Sequence, residues 1–226
     1  MNAVKAHVKR WVFGDESRAR HIHVGLLRGL QFVVDPREKS QRLLGLDERE
    51  IAEHVRHGAD RARTAIDVGC HDGWYTTFFA SRPNIAKALA CDRDQVVLDL
   101  LMRNVNLNHL ASRVAVHRLS VGASTDGGFR SLDDLLRHET PPFVIKVDVD
   151  GGELDVLTSG RTVLVEQDCA VIVETHSLEL ERDCMRYLQQ LGYHTRVIPN
   201  GWYRMFVPEF RPTAHNRWFV ATRDGL

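Results

Sequence analysis

The stretch Thr64-Ala-Ile-Asp-Val-Gly-Cys-His-Asp-Gly73 decides the fold of this chain. It begins as a short apolar strand, continues into a turn with two glycines, and is followed by a predicted helix over residues 74–81. Glycine lets the backbone bend tightly and approach a ligand where a Cβ would obstruct it. A strand, a glycine turn and a helix in this order are typical of a nucleotide-binding turn. Many such turns need glycine for purely steric reasons. The sequence downstream therefore has to decide between a nucleotide-binding turn and a purely structural one.

Downstream of residue 64, apolar strands alternate with helices. Strands are predicted at 64–68, 86–91, 113–117, 143–149 and 169–174, and helices at 74–81, 95–107, 131–137, 153–159 and 178–191. This alternation predicts an α/β fold with a doubly wound, mostly parallel, Rossmann-like sheet and right-handed crossovers. Two more strands, at 195–198 and 217–221, have no helix between them, which predicts an antiparallel strand at the C-terminal edge.

The chain divides into an N-terminal extension, residues 1–60, and an α/β domain, residues 61–226. Within the extension we predict helices and a short strand pair, with one strand at 31–34 and a helix at 48–57. The first 20 residues mix basic and apolar positions, which favours an edge helix with a solvated face. The alternative is a basic amphipathic helix that contacts a membrane or a partner.

Composition excludes several classes of protein. The 226 residues include 30 basic and 30 acidic side chains, so no overall field attracts nucleic acid or an anionic membrane. The four cysteines are scattered without a CxxC pair, which argues against a zinc site or a disulfide framework and fits a reducing compartment. No apolar run approaches the roughly 20 residues that span a bilayer, and the N-terminus lacks a signal-peptide core. We therefore expect a cytoplasmic protein without a transmembrane segment.

Asp92 strengthens the nucleotide interpretation of the glycine turn. It ends the next strand, 19 residues after Gly73. An acidic side chain there can accept hydrogen bonds from both hydroxyls of an adenosine ribose. The alternative is a strand-end turn residue next to Asp94, the predicted N-cap of the following helix. The turn and the acid together favour the ribose interpretation.

The residues of the turn favour an amino-acid cofactor over a dinucleotide. Asp67 can accept a hydrogen bond from an ammonium group or from loop amides, and open amides near Gly69 and Asp72 can bind a carboxylate. A pyrophosphate fits less well, because the bulky His71 and the acidic Asp72 would crowd and repel it.

A second polar cluster follows the two later strands of the predicted sheet. Asp148 and Asp150 lie two residues apart, so they point to the same side of an extended backbone, and Glu174 and His176 have the same spacing. If these strands are neighbours, their backbones lie roughly 4.8 Å apart. The cluster suits removal of a hydroxyl proton by His176 or by a carboxylate. It equally suits a divalent cation held by oxygen ligands.

A purely structural interpretation of the second cluster also stands. In this interpretation Glu153 merely caps the start of a helix, and Glu174 is paired with Lys146 or an arginine. This interpretation is weaker for Asp148 and His176, because polar groups that close buried strands usually face a cavity.

Three motifs together resemble a known family. They are Asp67-Val-Gly-Cys-His-Asp-Gly-Trp-Tyr75, Lys146-Val-Asp-Val-Asp-Gly-Gly-Glu153 with Val156-Leu157, and Val173-Glu-Thr-His176. They are similar to the D-V-G-A-N-x-G-x-Y, K-I-D-V-E-G-x-E-x-x-V-L and E-T-H patterns of the FkbM family of S-adenosylmethionine-dependent methyltransferases. Leu44-Gly-Leu-Asp-Glu-Arg-Glu50 resembles the lead-in helix of that family.

The resemblance implies S-adenosylmethionine as cofactor and O-methylation of a hydroxyl on a sugar, glycan or secondary metabolite. His71 replaces the usual Asn of the family, and Asp150 replaces its usual Glu. No nucleic-acid partner is expected, no metal ligand is assigned, and a divalent cation stays an open alternative. The predicted site comprises Asp148 and His176 as catalytic residues and, for the cofactor, Asp67, Gly69, His71, Asp72, Gly73 and Asp92.

Two other functions stay open at this point. One is an NAD-dependent oxidoreductase on the same fold, and the other is a non-catalytic S-adenosylmethionine-binding protein. On the acceptor side, an aromatic group either stacks on the acceptor or forms an apolar lid. It consists of Tyr75, Trp202, Tyr203, Phe206 and Phe210, and His215 and Arg217 are candidates to contact an anionic acceptor.

Overall fold

The computed structural model describes residue 14 and residues 16–124, 126–205 and 215–224. Its strands, in chain order, are β1 (Arg18–His21), β2 (Gln31–Val34), β3 (Thr64–Val68), β4 (Lys87–Asp92), β5 (Val114–Arg118), β6 (Ser120–Val121), β7 (Phe129–Arg130), β8 (Phe143–Val147), β9 (Cys169–Thr175), β10 (His194–Ile198) and β11 (Arg217–Thr222). Seven of them form one sheet in the order β10-β11-β9-β8-β3-β4-β5. Strands β1 and β2 form an antiparallel pair, and β6 and β7 a short parallel pair.

The seven-stranded sheet confirms the predicted fold class, with one difference in detail. Every neighbouring pair is parallel except those that involve β11, which runs antiparallel to both β9 and β10. The antiparallel strand therefore lies one place inside the edge, and β10 occupies the edge itself. Strand order reverses between β3 and β8. In open α/β sheets a ligand crevice forms at such a point, beyond the carboxyl ends of the strands.

Helices cover both faces of the sheet. They are α1 (Pro36–Leu43), α2 (Ala52–Arg61), α3 (Trp74–Ser81), α4 (Gln95–Leu107), α5 (Leu132–Leu136), α6 (Glu153–Ser159), α7 (Arg161–Glu166) and α8 (Leu178–Gln190), with 3₁₀ turns at Ala111–Arg113 and Trp202–Met205. Helices α3, α4 and α6 have the predicted bounds. The helix predicted at 48–57 instead begins at Ala52, and α1 and α7 are additional.

Helix α1 escapes prediction because its buried side is polar. Asp35 caps it by accepting a hydrogen bond from the Arg37 amide, and Pro36 occupies the first turn. The residues it buries are Pro36, Ser40 and Arg42. A pattern based on apolar residues at helical spacing does not detect such a face.

Alternating side chains of the central strands build the two halves of the core. Ile66 and Ile145 point into the layer of α5 to α8. Ala65 and Val144 point into the opposite layer, against α2 and α3. This alternation is the period-two pattern of strands that are buried on both faces.

The described part of the N-terminal extension packs into this second layer. Its buried residues Ile22, Phe32, Ile51 and Val55 share one cluster with Phe79 and the sheet. The boundary predicted at residue 60 therefore does not separate two cores. Of the first 20 residues, 1–13 and 15 lie outside the described residues, so the amphipathic helix predicted there stays a prediction. Residues 18–20 belong to β1 instead.

Two asparagines on α4 attach β2 to the domain. Asn104, fully buried, accepts a hydrogen bond from the Val33 amide at 2.8 Å and donates to the Asp72 carbonyl at 2.8 Å. One turn later, Asn108 accepts from the Gln31 amide and donates to the Gln31 carbonyl. These bonds satisfy both backbone polar groups of Gln31 and the amide of Val33.

Candidate functional site

The turn after β3 needs both of its glycines for reasons of backbone geometry. Gly69 has φ +74°, and a Cβ built on it would lie 1.7 Å from the carbonyl oxygen of Asp148. Gly73, the residue before α3, has φ +82°, and a Cβ there would meet the side chain of Leu101. Only glycine satisfies both requirements. The turn after β3 and the turn after β8 are consequently in direct backbone contact.

Asp92 orients the middle of the turn. Its Oδ2 accepts a hydrogen bond from the His71 amide at 3.1 Å, and its Oδ1 accepts from the Asp94 amide at 3.0 Å. The carboxylate is half-buried and keeps further lone pairs, since each of its oxygens can accept a second hydrogen bond. The prediction of an open amide at Gly69 is wrong, because the Gly69 and Cys70 amides both donate to the Cys91 carbonyl.

His71 occupies a left-handed backbone position, with φ +46°. Asn, Asp and His are the non-glycine residues enriched in this region, so His71 suits this backbone position. Its side chain is 66% exposed, and its Nδ1 lies 3.5 Å from Asp72 Oδ1. The turn therefore presents an imidazole to solvent beside Asp92.

Asp67 and Asp72, both predicted to contact the cofactor, are buried and engaged inside the protein. Asp67 Oδ2 accepts a hydrogen bond from the Thr76 hydroxyl at 2.7 Å, and Oδ1 lies 3.6 Å from Lys146 Nζ. Burial raises the pKa of Asp67, although Lys146 and Thr76 oppose the shift. Asp67 thus links the strand end to α3 and to β8.

Asp72 forms a buried ion pair with Arg42 of α1. The Arg42 guanidinium also contacts Asp47 at 2.9 Å and stacks on the rings of Trp74 and Phe32, at 4.7 and 5.3 Å from their centroids. Burial opposes ionisation of Asp72, but Arg42 holds the pKa of that carboxyl well below its usual range. The N-terminal extension therefore fixes the turn after β3 through the ion pair between Arg42 and Asp72.

His176 gathers three acidic groups at the carboxyl end of the neighbouring strands. Its Nδ1 lies 2.6 Å from Oε1 of the buried Glu153, and its Nε2 lies 3.2 Å from Asp150 Oδ1 and 3.7 Å from Asp148 Oδ1. The hydrogen bond to Glu153 raises the pKa of His176; burial opposes this, and Asp148 and Asp150 add to it. Asp148, Asp150 and His176 lie together at one rim as predicted, and Glu153 contacts His176 in place of the predicted Glu174.

Lys146 is the cation at the centre of this rim. It is 4% exposed, with Nζ 3.2 Å from Asp148 Oδ2 and 5.0 and 5.9 Å from the ring centroids of Tyr75 and Trp218. Burial disfavours its charge, but Asp148 and Asp67 raise the pKa of Lys146 above its ordinary value. One ammonium group therefore neutralises the interior side of the site.

Two glutamates near Lys146 are held towards their neutral forms. Burial, with repulsion from Asp148, raises the pKa of Glu174. Burial, with repulsion from Asp47, raises the pKa of Glu48, whose carboxylate accepts a hydrogen bond from the Tyr75 hydroxyl. The expected pairing of Glu174 with Lys146 is not among the ion pairs of the described residues. Neither Glu48 nor Arg42 is among the predicted site residues. For Glu48, the available signal was the acidic run within Leu44–Glu50.

Asp148, Asp150 and His176 also offer one ligand atom each within 4.8 Å of one another, a spacing that suits a divalent cation. A metal requires neutral imidazole as its ligand. The groups that raise the pKa of His176 therefore oppose that use.

The candidates on the acceptor side have mixed outcomes. Trp202 is 76% exposed, whereas Phe206 and Phe210 lie outside the described residues. Arg217 donates to Glu181 through Nε at 2.8 Å and through Nη2, and His215 Nε2 lies 3.4 Å from the same carboxylate. Both basic groups are thus engaged by an acid.

A cavity of about 630 Å³ lies elsewhere in the molecule. It is lined by α5, α7 and Phe143, the first residue of β8, and therefore opens at the amino ends of the strands. The polar cluster lies at the opposite, carboxyl ends of the strands. Among the described residues, no helix is long and apolar enough to cross a bilayer.

Comparisons with known proteins agree with this geometry. Residues 128–195 match the family model described as the methyltransferase FkbM domain. A crystal structure of methyltransferase FkbM from Methylobacillus flagellatus KT is similar with a TM-score of 0.56 and 17% identity over 71% of this chain. The similarity spans only 43% of that protein.

An rRNA methylase from Streptococcus thermophilus is similar with a TM-score of 0.52 and 13% identity, over 77% of this chain and 96% of its own. At such identities the likeness concerns the fold. A search of curated protein sequences finds no match. Residues 128–195, less than half of the chain, match an FkbM methyltransferase domain, and the chain shares its fold with methyltransferases of known structure.

Proposed function

We propose that this methyltransferase transfers a methyl group from S-adenosylmethionine to a hydroxyl of a small-molecule or glycan acceptor. The observation that supports this most is the contact between the turn after β3 and the turn after β8. Asp148, whose carboxylate neighbours His176, donates its amide to Val68 at 2.9 Å, and Gly69 abuts its carbonyl. A cofactor held over the first turn would therefore present its reactive end to the base cluster of the second.

The residues on the first turn fit the cofactor. Asp92 is oriented by two backbone amides and retains lone pairs for ribose hydroxyls. The left-handed His71 lies beside it at the surface. Bound S-adenosylmethionine would supply an electrophilic methyl group on its sulfonium. The inserted antiparallel strand β11 also differs from the all-parallel sheet typical of dinucleotide-binding domains, which favours this cofactor over NAD.

His176 is the proposed base. When Nδ1–H donates to Glu153, the imidazole Nε2 is the proton acceptor and faces Asp148 and Asp150. The acceptor oxygen forms the new O–C bond while the C–S bond of the sulfonium breaks, and the hydroxyl proton passes to Nε2. Asp148 and Asp150 then stabilise the imidazolium. Methyl transfer depends strongly on how the two reactants are aligned. The base adds to the rate that this alignment already gives.

Calorimetry with S-adenosylhomocysteine tests the cofactor side. Asp92→Ala is expected to weaken binding by about 10- to 100-fold, because hydrogen bonds to a charged group are lost. Asp94→Asn is the matched control, since Asn also caps a helix and Asp94 caps α4. Tight binding of NAD with none of S-adenosylhomocysteine would contradict the proposal.

A transfer assay tests the chemistry. The protein is incubated with S-adenosylmethionine and a panel of neutral glycosides, and products are detected by mass and by the methyl position in NMR. His176→Asn is expected to lower kcat by about 10²- to 10⁴-fold while leaving S-adenosylhomocysteine affinity unchanged. Cofactor binding without any methylated product would instead favour the non-catalytic alternative.

A further inference from the structure

The segment that precedes α2 carries three acidic residues that reach three different parts of the molecule. Asp47 contacts Arg42, which in turn holds the turn after β3. Glu50 accepts hydrogen bonds at 2.6 and 2.7 Å from Arg204, in the 3₁₀ turn on the acceptor side. Glu48 lies between them in sequence. The segment therefore spans from the cofactor side of the crevice to its acceptor side.

Glu48 differs from its two neighbours in how its charge is treated. Asp47 and Glu50 each bind an arginine, so their burial is compensated. Within the described part of the chain, the hydrogen-bond partner of the Glu48 carboxylate is the neutral phenol of Tyr75. Among the described residues the half-buried Glu48 forms no ion pair. Burial raises the pKa of Glu48 and the charge of Lys146 opposes this shift only in part, so glutamine or an apolar residue would serve packing better.

The backbone of Glu48 is also unusual. Its φ is +44°, in the left-handed region where glutamate is rare. Such conformations persist where the surrounding structure enforces them, and they concentrate at ligand sites. Two independent costs, one in charge and one in backbone, therefore fall on the same residue.

The contacts of Tyr75 bring Glu48 to the reaction centre. The Tyr75 ring lies against Lys146 Nζ, which contacts Asp148, the neighbour of His176. Glu48 also experiences the charges of Lys146 and Asp148 directly. The Glu48 carboxyl group thus belongs to the same polar cluster as Lys146, Asp148 and the proposed base His176.

We propose that Glu48 binds the acceptor, through a hydrogen bond to a second hydroxyl close to the one that is methylated. This inference rests on the proposed function and narrows its acceptor class to compounds with neighbouring hydroxyls, such as vicinal diols of a sugar ring. Tyr75 holds the Glu48 carboxyl group in place from below. The same segment fixes the cofactor turn through Asp47, so donor and acceptor are aligned by one piece of chain.

Three variants test the role of Glu48 on the best substrate of the glycoside panel. Glu48→Met removes the carboxyl group and is expected to lower kcat/KM for the glycoside by about tenfold or more. Glu48→Gln keeps hydrogen-bonding capacity and is expected to retain most of the activity. Tyr75→Phe breaks the Glu48–Tyr75 bond from the other side and is expected to cause a smaller loss. Affinity for S-adenosylhomocysteine should stay within about twofold in all three, because the hydrogen-bonding groups of the cofactor turn are untouched.

Deoxygenated glycosides complete the test. Removal of the neighbouring hydroxyl from the substrate should lower kcat/KM for the parent protein, with little further loss in Glu48→Met. Parental kcat/KM in Glu48→Met would overturn the inference, and so would equal losses in Glu48→Met and Tyr75→Phe, since Glu48 would then only support Tyr75.

Unfolding midpoints keep the two proposals distinguishable. If the parent methylates no member of the panel, the proposed acceptor class fails, and stability still tests Glu48. If the unfolding midpoint of Glu48→Met is at or above the parental value, Glu48 does not stabilise the fold, which supports a role in function. A clear decrease, as expected for Glu50→Met, would show that Glu48 is a folding residue and would overturn the inference.

Discussion

The two turns that meet at the carboxyl end of the sheet hold their charged groups in opposite ways. At the turn after β3, the carboxylate of Asp92 from the end of β4 is bound by backbone amides, and that of Asp72 by the Arg42 guanidinium. On the second side, Lys146 near the end of β8 and His176 just after β9 are surrounded by acidic groups that outnumber them. The first side is a fixed cradle with compensated charge, and the second is a network of interacting titratable groups.

This difference indicates a division of labour. Backbone amides do not titrate, so the cradle should bind the cofactor in the same way over a broad pH range. In the network, each proton affects its neighbours through a medium of low dielectric constant, so protonation is readily shifted. Such shifts are typical of groups that move a proton during a reaction. Three predictions test the contrast.

The largest effect is expected from loss of Lys146. Lys146→Met leaves Asp67 and Asp148 without their shared cation, and we expect the free energy of unfolding to fall by about 3–5 kcal/mol. Urea denaturation monitored by circular dichroism measures the change. The deficit should shrink as pH falls, because the abandoned carboxylates can then take up protons.

Lys87→Met is the matched control for this variant. Lys87 pairs with Glu139 but is 42% exposed, so its loss should change stability by about 0–1 kcal/mol. Equal effects of the two substitutions would contradict the description of the rim as a buried network centred on one cation.

The pH dependence of methyl transfer should follow the His176–Glu153 pair. Since the hydrogen bond to Glu153 raises the pKa of His176, the base form appears only at higher pH. We expect the acid limb of kcat to lie above the ordinary histidine value of about 6.5 and to move down in Glu153→Gln. The stability that the charged imidazole contributes should be present below about pH 6.5 and disappear as pH rises through the raised pKa. An acid limb that does not move in Glu153→Gln would remove His176 from the role of base.

Much of the cradle could be predicted because it is local. The positions of Gly69, Gly73 and Asp92 follow from strand ends, turn glycines and spacing along one chain segment, whereas the internal contacts of Asp67 with Thr76 and Lys146 do not. The meeting of Asp148 with His176 also follows from local motifs, since consecutive strands of a βαβ unit tend to be neighbours. Helical bounds were predicted well in α3, whose residues are almost all buried, and in α4, which begins after the Asp94 cap.

The N-terminal extension shows where sequence reasoning fails. Arg42 and Glu48 act on groups about 30 residues away, through side chains whose partners no periodicity indicates. Helix α1 buries polar residues, and Glu48 has a left-handed backbone where a helix was predicted. The free energy of these contacts comes from tertiary packing, which overrides local propensity.

The smallest effect is expected from removal of metal ions, and it bears on the open alternative of a cation bound by Asp148, Asp150 and His176. A cation there must displace a proton from an imidazole whose pKa is raised by Glu153, Asp148 and Asp150 themselves. These carboxylates cannot serve fully as partners of an imidazolium and as metal ligands at once. We therefore expect the transfer rate to change by less than about twofold after dialysis against EDTA or on addition of Mg²⁺. The control is Asp150→Asn, which removes one candidate ligand and leaves Glu153 on Nδ1. If EDTA abolished transfer, Mg²⁺ restored it, and Asp150→Asn raised the Mg²⁺ concentration required, the rim would be a metal site rather than a proton-transfer network.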